Sequence, residues 1–159
     1  MDEDRFARLE QRVRRLEDEL EITRLIASYG PLVDAGAAGA VAQLWTEDGE
    51  YDVEGWHMRS RADVHAMVES AAHRSLIEAG CSHFLGPAQI VVDGDAALAV
   101  CESLLVRRAD AGFRVWRAGA NRFQLTRTPR GWRITHRVTR ALDGAAAARD
   151  LLRATVAGA

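Results

Sequence analysis

Apolar residues at Phe6, Leu9, Val13, Leu16 and Leu20 recur in alternating steps of three and four, with mostly charged residues between them. This spacing predicts an amphipathic helix over residues 1–20 whose a/d seam either lies on its own domain or meets a partner helix. The stripe runs on through Ile22, Leu25, Ile26 and Tyr29 until Gly30-Pro31 interrupts it. A proline inside a helix removes a hydrogen bond and clashes with the preceding turn, so a kink or break is expected there. A second short helix carries Val41, Leu44 and Trp45, and Thr46-Glu47-Asp48-Gly49 is expected to turn it into a strand with Tyr51 and Val53 on one face. Ser60, with Asp63 three residues on, predicts the N-cap of a helix that buries Val64, Met67, Val68 and Ala71 and ends near Gly80.

From Cys81 onward the period changes from helix to strand. Asp93-Gly94 between apolar runs is a two-residue hairpin signal. A turn at those two residues sets Leu85 opposite Glu102, His83 opposite Leu104 and Cys81 opposite Val106, which places His83 and Glu102 on one face as diagonal neighbours. The next strand carries Val115, Arg117, Gly119, Asn121, Phe123 and Leu125 on one side and Arg122, Gln124 and Thr126 on the other. After a turn at Thr128-Pro129-Arg130-Gly131, a last strand alternates Trp132, Ile134, His136 and Val138 against Arg133, Thr135, Arg137 and Thr139. An alanine-rich segment over residues 145–156 predicts a short C-terminal helix. Helices first, then hairpins with one apolar face, imply an α+β fold: a cone-shaped barrel in which a curved antiparallel sheet wraps around helices. The 159 residues suit a single domain.

Composition narrows the function more than it shapes the fold. The formal net charge is −2 and every basic residue is an arginine, spread among acids with no basic patch, so no nucleic-acid partner is expected. No apolar run approaches the roughly twenty residues of a membrane span. The acidic start, Met1-Asp2-Glu3-Asp4-Arg5, lacks a signal peptide's apolar stretch, so a cytoplasmic protein with no membrane partner is expected. Cys81 and Cys101 form no zinc-type set, and reduced thiols are expected, with no metal and no cofactor.

Three stretches carry a resemblance: Tyr29-Gly-Pro-Leu-Val-Asp34 with Val41-Ala-Gln-Leu-Trp-Thr-Glu-Asp48; Ser82-His-Phe-Leu-Gly86 leading into Val92-Asp-Gly-Asp-Ala96; and Ala120-Asn121 with Gly131-Trp-Arg-Ile134. Between Leu16 and Gly144 the chain resembles the SnoaL-like branch of the nuclear-transport-factor-2-like superfamily. Within it the chain is similar to scytalone dehydratase, bile-acid 7α-dehydratase and hexachlorocyclohexane dehydrochlorinase, which use a His–Asp pair inside the cone. The resemblance implies catalytic roles for Asp34, His83 and Tyr29 and pocket-lining positions for Tyr51 and Asn121. Glu102 departs from the pattern, standing where scytalone dehydratase has a second histidine. Gly30-Pro31 is a second departure, one able to move Tyr29 from the pocket.

A histidine in an apolar cone is pushed toward its neutral form, while a carboxylate on one ring nitrogen fixes the tautomer and stabilises the imidazolium. Asp34 beside His83 would make a general base, and Tyr29, Tyr51 and Asn121 would donate hydrogen bonds to a developing oxyanion. Read apart from the resemblance, a lone His83 is more often a core histidine with a partner than a base, and Asp34 reads as a cap on a helix end before Gly36. His57, His65 and His73 read as structural, with His65, Glu69 and His73 on a solvated face. His136 alternates with Ile134 and Val138 and so points inward, Phe123 lines the cavity, and Glu102 is either a pocket acid or a partner for Arg140. The expected function is a cofactor-independent lyase or isomerase, a dehydratase acting on a cyclic apolar molecule of polyketide, steroid or aromatic type. Two rivals stand beside it: a non-catalytic binder of such molecules, and an assembly subunit like the small β subunit of ring-hydroxylating dioxygenases. A homo-dimer or homo-trimer using the Phe6–Leu20 stripe is expected.

Overall fold

The computed structural model describes residues 2–154. Helix α1 (Asp2–Asp34) is followed by α2 (Ala38–Ala42) and by the strands β1 (Trp45–Val53) and β2 (Trp56–Met58). Helices α3 (Arg61–Glu69) and α4 (Ala71–Ala79) come next, then β3 (Cys81–Leu85), β4 (Gln89–Asp93), β5 (Ala96–Ala109), β6 (Gly112–Thr128), β7 (Gly131–Ala141) and α5 (Ala146–Arg153). One seven-stranded sheet runs β2-β1-β7-β6-β5-β3, with β4 also paired to β5. The sheet is curved and unclosed, and helices α1–α4 fill its concave side, which is the α+β cone that the patterning implies. Every junction is antiparallel except β1 with β7, which is parallel.

Helix α1 divides in two by burial. Ile22, Leu25, Ile26, Tyr29 and Val33 are buried at helical spacing against the sheet, whereas Phe6, Leu9, Val13, Leu16 and Leu20 remain exposed, Phe6 at 64% and Leu16 at 63%. The helix is anchored where the halves meet. Asp18 accepts hydrogen bonds from Arg127 Nη1 (2.6 Å), Arg127 Nη2 (2.8 Å) and Trp132 Nε1 (3.0 Å). The break expected at Gly30-Pro31 does not occur: Pro31 lies inside α1, which runs on to Asp34, and the Pro31 carbonyl still accepts from the Ala35 N–H at 3.0 Å.

Local chemistry was read correctly at some boundaries and not at others. Ser60 caps α3 by accepting from Asp63 N, and Gly80 ends α4 with φ +92°. The helix is not continuous between them, because Ser70 leaves helical geometry and caps α4 through His73 N. Ala71 is therefore exposed, not buried. Thr46–Gly49 is strand, not turn. Gly49 is needed there because a Cβ would stand 2.7 Å from the Ile134 carbonyl oxygen, so β1 could not approach β7. Strand β2 has no counterpart in the sequence reading, although Glu54 (φ +42°) and Gly55 (φ +88°) make the tight turn that creates it.

Candidate active site

Two irregularities decide which side chains enter the cone. In the β4–β5 hairpin the paired ends are Asp93 and Ala96, so the turn residues are Gly94 and Asp95. Pro87 and Ala88 then stand against Cys101 alone, a bulge that resets the pairing to His83 with Leu105 and Leu85 with Ser103. The net register differs by one residue from a turn at Asp93-Gly94, which exchanges the faces of β5 relative to β3. Glu102 consequently projects away from His83 and is exposed. The second irregularity is in β7: Leu125 pairs with Ile134 and Gln124 with His136, leaving Thr135 as the extra residue, its hydroxyl 3.2 Å from the Gln124 carbonyl. Beyond that bulge the faces of β7 exchange. His136 leaves the interior, and Arg137 and Thr139 enter it, buried to 2% and 4% exposure.

The interior then assembles around α1. His83 Nδ1 lies 2.5 Å from Asp34 Oδ1, and the His83 backbone N–H donates to Asp34 Oδ2 at 2.7 Å. One carboxylate thus grips both the ring and the main chain of the same histidine. The last turn of α1 reaches β3 because Gly30 has no side chain, and a Cβ there would run into the His83 carbonyl oxygen. Asp34 Oδ1 can only accept, so Nδ1 carries the proton and Nε2 keeps a lone pair. Burial draws the His83 pKa below its ordinary value of 6.5, against the opposing pull of Asp34, so the ring is neutral at pH 7. His73, expected on a solvated face, is buried with its ring 5.9 Å from that of His83, and its Nε2 donates to the Val33 carbonyl at 3.0 Å. His65 does pair with Glu69, at 3.4 Å.

Beside the pair lies a cavity of about 150 Å³ lined by His83, Tyr29, Tyr51, Arg117, Arg137 and Thr139 together with apolar side chains. Tyr29 is at the centre of an aromatic cluster, edge-on to Trp45, Tyr51 and His83, and burial pushes its phenol well above the ordinary range. Thr139 Oγ1 is 2.7 Å from Asn121 Oδ1 and 3.2 Å from Tyr51 Oη. The amide oxygen can only accept, so the threonine proton goes there and Tyr51 donates to the threonine. Asn121 does not line the cavity; its Oδ1 accepts from Arg137 Nε (3.2 Å) and Nη2 (2.8 Å), and its Nδ2 donates to Ser103 Oγ (2.8 Å). Phe123 is likewise beneath the floor, fully buried, with its ring centroid 5.0 Å from the Arg137 guanidinium.

Three further residues expected in the pocket are outside it. Glu102 projects from the opposite face of β5. Arg140 donates from Nη1 (3.0 Å) and Nη2 (2.6 Å) to the Asp52 carboxylate on the outer face, not to Glu102. His136 sits outside with Glu50 and His57, the latter two paired at 2.5 Å. Conversely, Arg137 was placed on the polar face, and no glycine, proline or turn signal marks the bulge that brings it in.

Two trios bring potential metal donors within reach of one another, Asp34–Cys81–His83 and Glu50–His57–His136. In the first, Asp34 and His83 already satisfy each other. Burial and the Asp34 charge push the Cys81 thiol up to about 11, so it stays protonated and is a poor ligand. Cys101 is also pushed up to about 11 by burial, and both cysteines are free. No helix among the described residues is long and apolar enough to cross a membrane.

Comparison with known proteins agrees with this architecture. No curated protein matches the chain. Among solved structures, an NTF2-like protein with a cystatin-like fold from Novosphingobium aromaticivorans is 49% identical, over 91% of this chain and 94% of its own, with a TM-score of 0.89. A protein of unknown function from Mycobacterium tuberculosis is 26% identical over 77% of this chain and 74% of its own, with a TM-score of 0.70. A Novosphingobium aromaticivorans protein described as the beta subunit of an aromatic-ring-hydroxylating dioxygenase shares the fold at 20% identity and a TM-score of 0.64, over 81% of this chain and 91% of its own. The profile of the SnoaL-like domain matches residues 14–138, and with the cone and its helical filling this shows that the chain belongs to the SnoaL-like family of the NTF2-like superfamily.

Proposed function

We propose that this protein is a cofactor-independent lyase or isomerase, most simply a dehydratase, in which His83 is the general base and Asp34 its orienting partner. The observation that carries the reading is the double grip of Asp34 on the His83 ring and main chain. It leaves a neutral imidazole whose Nε2 has no hydrogen-bond partner among the described residues, beside a cavity. In a dehydration, Nε2 takes a proton from carbon, the released electron pair forms the double bond, and the hydroxyl leaves. The imidazolium returns the proton to that hydroxyl, so water departs and the ring is restored. Asp34 stabilises the imidazolium meanwhile, and Tyr29, whose burial favours the protonated phenol, donates a hydrogen bond. A cavity of about 150 Å³ suits one six-membered ring better than a fused polycycle, since an engineered cavity of about that volume takes up benzene.

The test is kinetic. Any co-purified ligand is identified by mass spectrometry, and turnover is measured on it and on cyclic β-hydroxy ketones. His83→Ala and Asp34→Asn should each lower turnover by about two orders of magnitude or more while folding is retained. The double variant should be little worse than the worse single one, because the two residues act as a unit. Near-wild-type turnover by His83→Ala overturns the assignment. An assembly subunit is the second reading, favoured by the exposed Phe84, Leu104, Phe113, Val115 and Trp116 on β3, β5 and β6. In that case the variants change no turnover, and substitutions in this patch abolish partner binding.

A further inference from the structure

An arginine guanidinium is a permanent cation, and its burial is costly unless something answers the charge. Arg137 is 2% exposed and has no ion-pair partner among the described residues. The rings of Tyr29, Tyr51 and Phe123 lie 4.2, 4.5 and 5.0 Å from its central carbon. Such contacts meet the cation through ring faces and use none of its N–H bonds. Within the plane, Nε and Nη2 are taken by the Asn121 amide oxygen, and Nη1 is buried with no partner. The remaining charges sharpen the imbalance. The cavity is lined by two arginines, Arg117 and Arg137, and by no carboxylate. Arg117 has a carboxylate within ion-pair reach, Glu54 Oε2 at 3.5 Å from Nη2, although its buried Nε and Nη2 make no hydrogen bond, whereas Arg137 has no carboxylate in reach among the described residues. Asp34 stands behind the imidazole, held to His83 Nδ1.

We propose that the ligand of this cavity is a single-ring carboxylate whose carboxylate group sits on the unpaired Nη1 of Arg137. The proposal deepens the reading of the cavity as a substrate site and rests on it. Asn121 fixes the guanidinium from below, so the anion meets a pre-oriented donor, and the cavity of about 150 Å³ beside it has room for an apolar remainder of about one ring. The negative charge is present in the resting ligand and is not only a charge that develops during turnover.

The experiment is titration calorimetry with benzoate and its neutral isostere benzamide, on the wild-type chain and on Arg137→Gln, Arg117→Gln and His83→Gln. Wild type should bind benzoate about tenfold or more tightly than benzamide, the scale of one charge-assisted hydrogen bond. Arg137→Gln should erase the preference, while Arg117→Gln and His83→Gln should keep most of it. If Arg137→Gln does not fold, Arg137→Met, which refills the space with apolar atoms, takes its place. Equal affinities, no binding of either probe at millimolar concentration, or a preference lost in Arg117→Gln but kept in Arg137→Gln would each overturn the proposal. Its failure is separable from that of the lyase reading. Benzoate binding with no turnover of any substrate sinks the lyase alone, and turnover of neutral substrates without benzoate preference sinks the carboxylate alone.

Discussion

A single extra residue, Thr135, determines the character of the cavity, because without the bulge β7 would present His136 inward and Arg137 to solvent. The cost of that arrangement is measurable. A buried charge with no partner ion carries a desolvation penalty that an apolar side chain avoids, and Asn121 Oδ1 keeps the Thr139 hydroxyl as a donor, so Arg137→Met should melt no lower than wild type. Calorimetric melting beside the benzoate titration reads both sides of the trade. His83 makes a pH prediction with a definite sign. Its folded pKa lies below 6.5 because burial disfavours the imidazolium, so the base is ready at neutrality and turnover falls on acidification below the ordinary imidazole range. Stability moves the same way. The unfolded chain takes up the proton near 6.5 and the folded chain resists it, so acidification from pH 7 toward 5 lowers the melting temperature. That decrement should shrink in His83→Gln; an unchanged decrement would assign it to other groups. Turnover should also survive exhaustive chelation, since Asp34 and His83 satisfy each other and the Cys81 thiol is protonated.

At the scale of elements, helix positions were legible and strand registers were not. Ser60, Gly80 and the α1 stripe announce themselves through capping chemistry and a 3.6-residue period, both local. The β3–β5 register depends on whether the turn uses Asp93-Gly94 or Gly94-Asp95 and on a bulge at Pro87-Ala88, so a local ambiguity propagates to every pair beyond it. Glu102 was misplaced for this reason, and His136 and Arg140 for its counterpart in β7, the Thr135 bulge: each is one position away from the interior face. Asp34 and His83 were not exposed to the same error. Asp34 lies at a helix end, and β3 meets α1 directly whatever its register with β5. Asp18 gives the element-scale prediction. It ties the middle of α1 to Arg127 and to the otherwise unpaired indole N–H of buried Trp132. Asp18→Ala should cost about 1–3 kcal/mol in urea denaturation, the penalty for leaving such a donor unsatisfied. A change under about 0.5 kcal/mol, the scatter of ordinary surface substitutions, would mean that the anchor is dispensable.

For the whole molecule, the N-terminal part of α1, through Leu20, is the feature the cone does not explain. Its apolar stripe, Phe6 to Leu20, faces solvent in a chain whose other helices bury theirs, and its three–four spacing matches a helix–helix seam. We expect a second copy of this chain to cover it, giving a dimer or trimer. Sedimentation should show the oligomer at micromolar concentration, and Leu9→Glu with Leu16→Glu should convert it to monomer without loss of helix content. A wild-type monomer would refute this. The cone itself was foreseeable because it needs only the order of helices and hairpins. The cavity was not, because its contents depend on two irregularities that leave no mark in hydrophobic periodicity.

The contact between Gly30 and the His83 carbonyl has a consequence for lineages rather than for molecules. One codon change at Gly30 would push α1 away from β3 and separate acid from base while leaving both in the sequence. Gly30→Ala should therefore abolish turnover in a chain that a survey of Asp34 and His83 alone would count as competent. If Gly30→Ala turns over normally, the pair tolerates more slack than the packing allows. If it does not, relatives that keep the pair but have a larger residue at this position are silent descendants, and the glycine is the better marker of a living site.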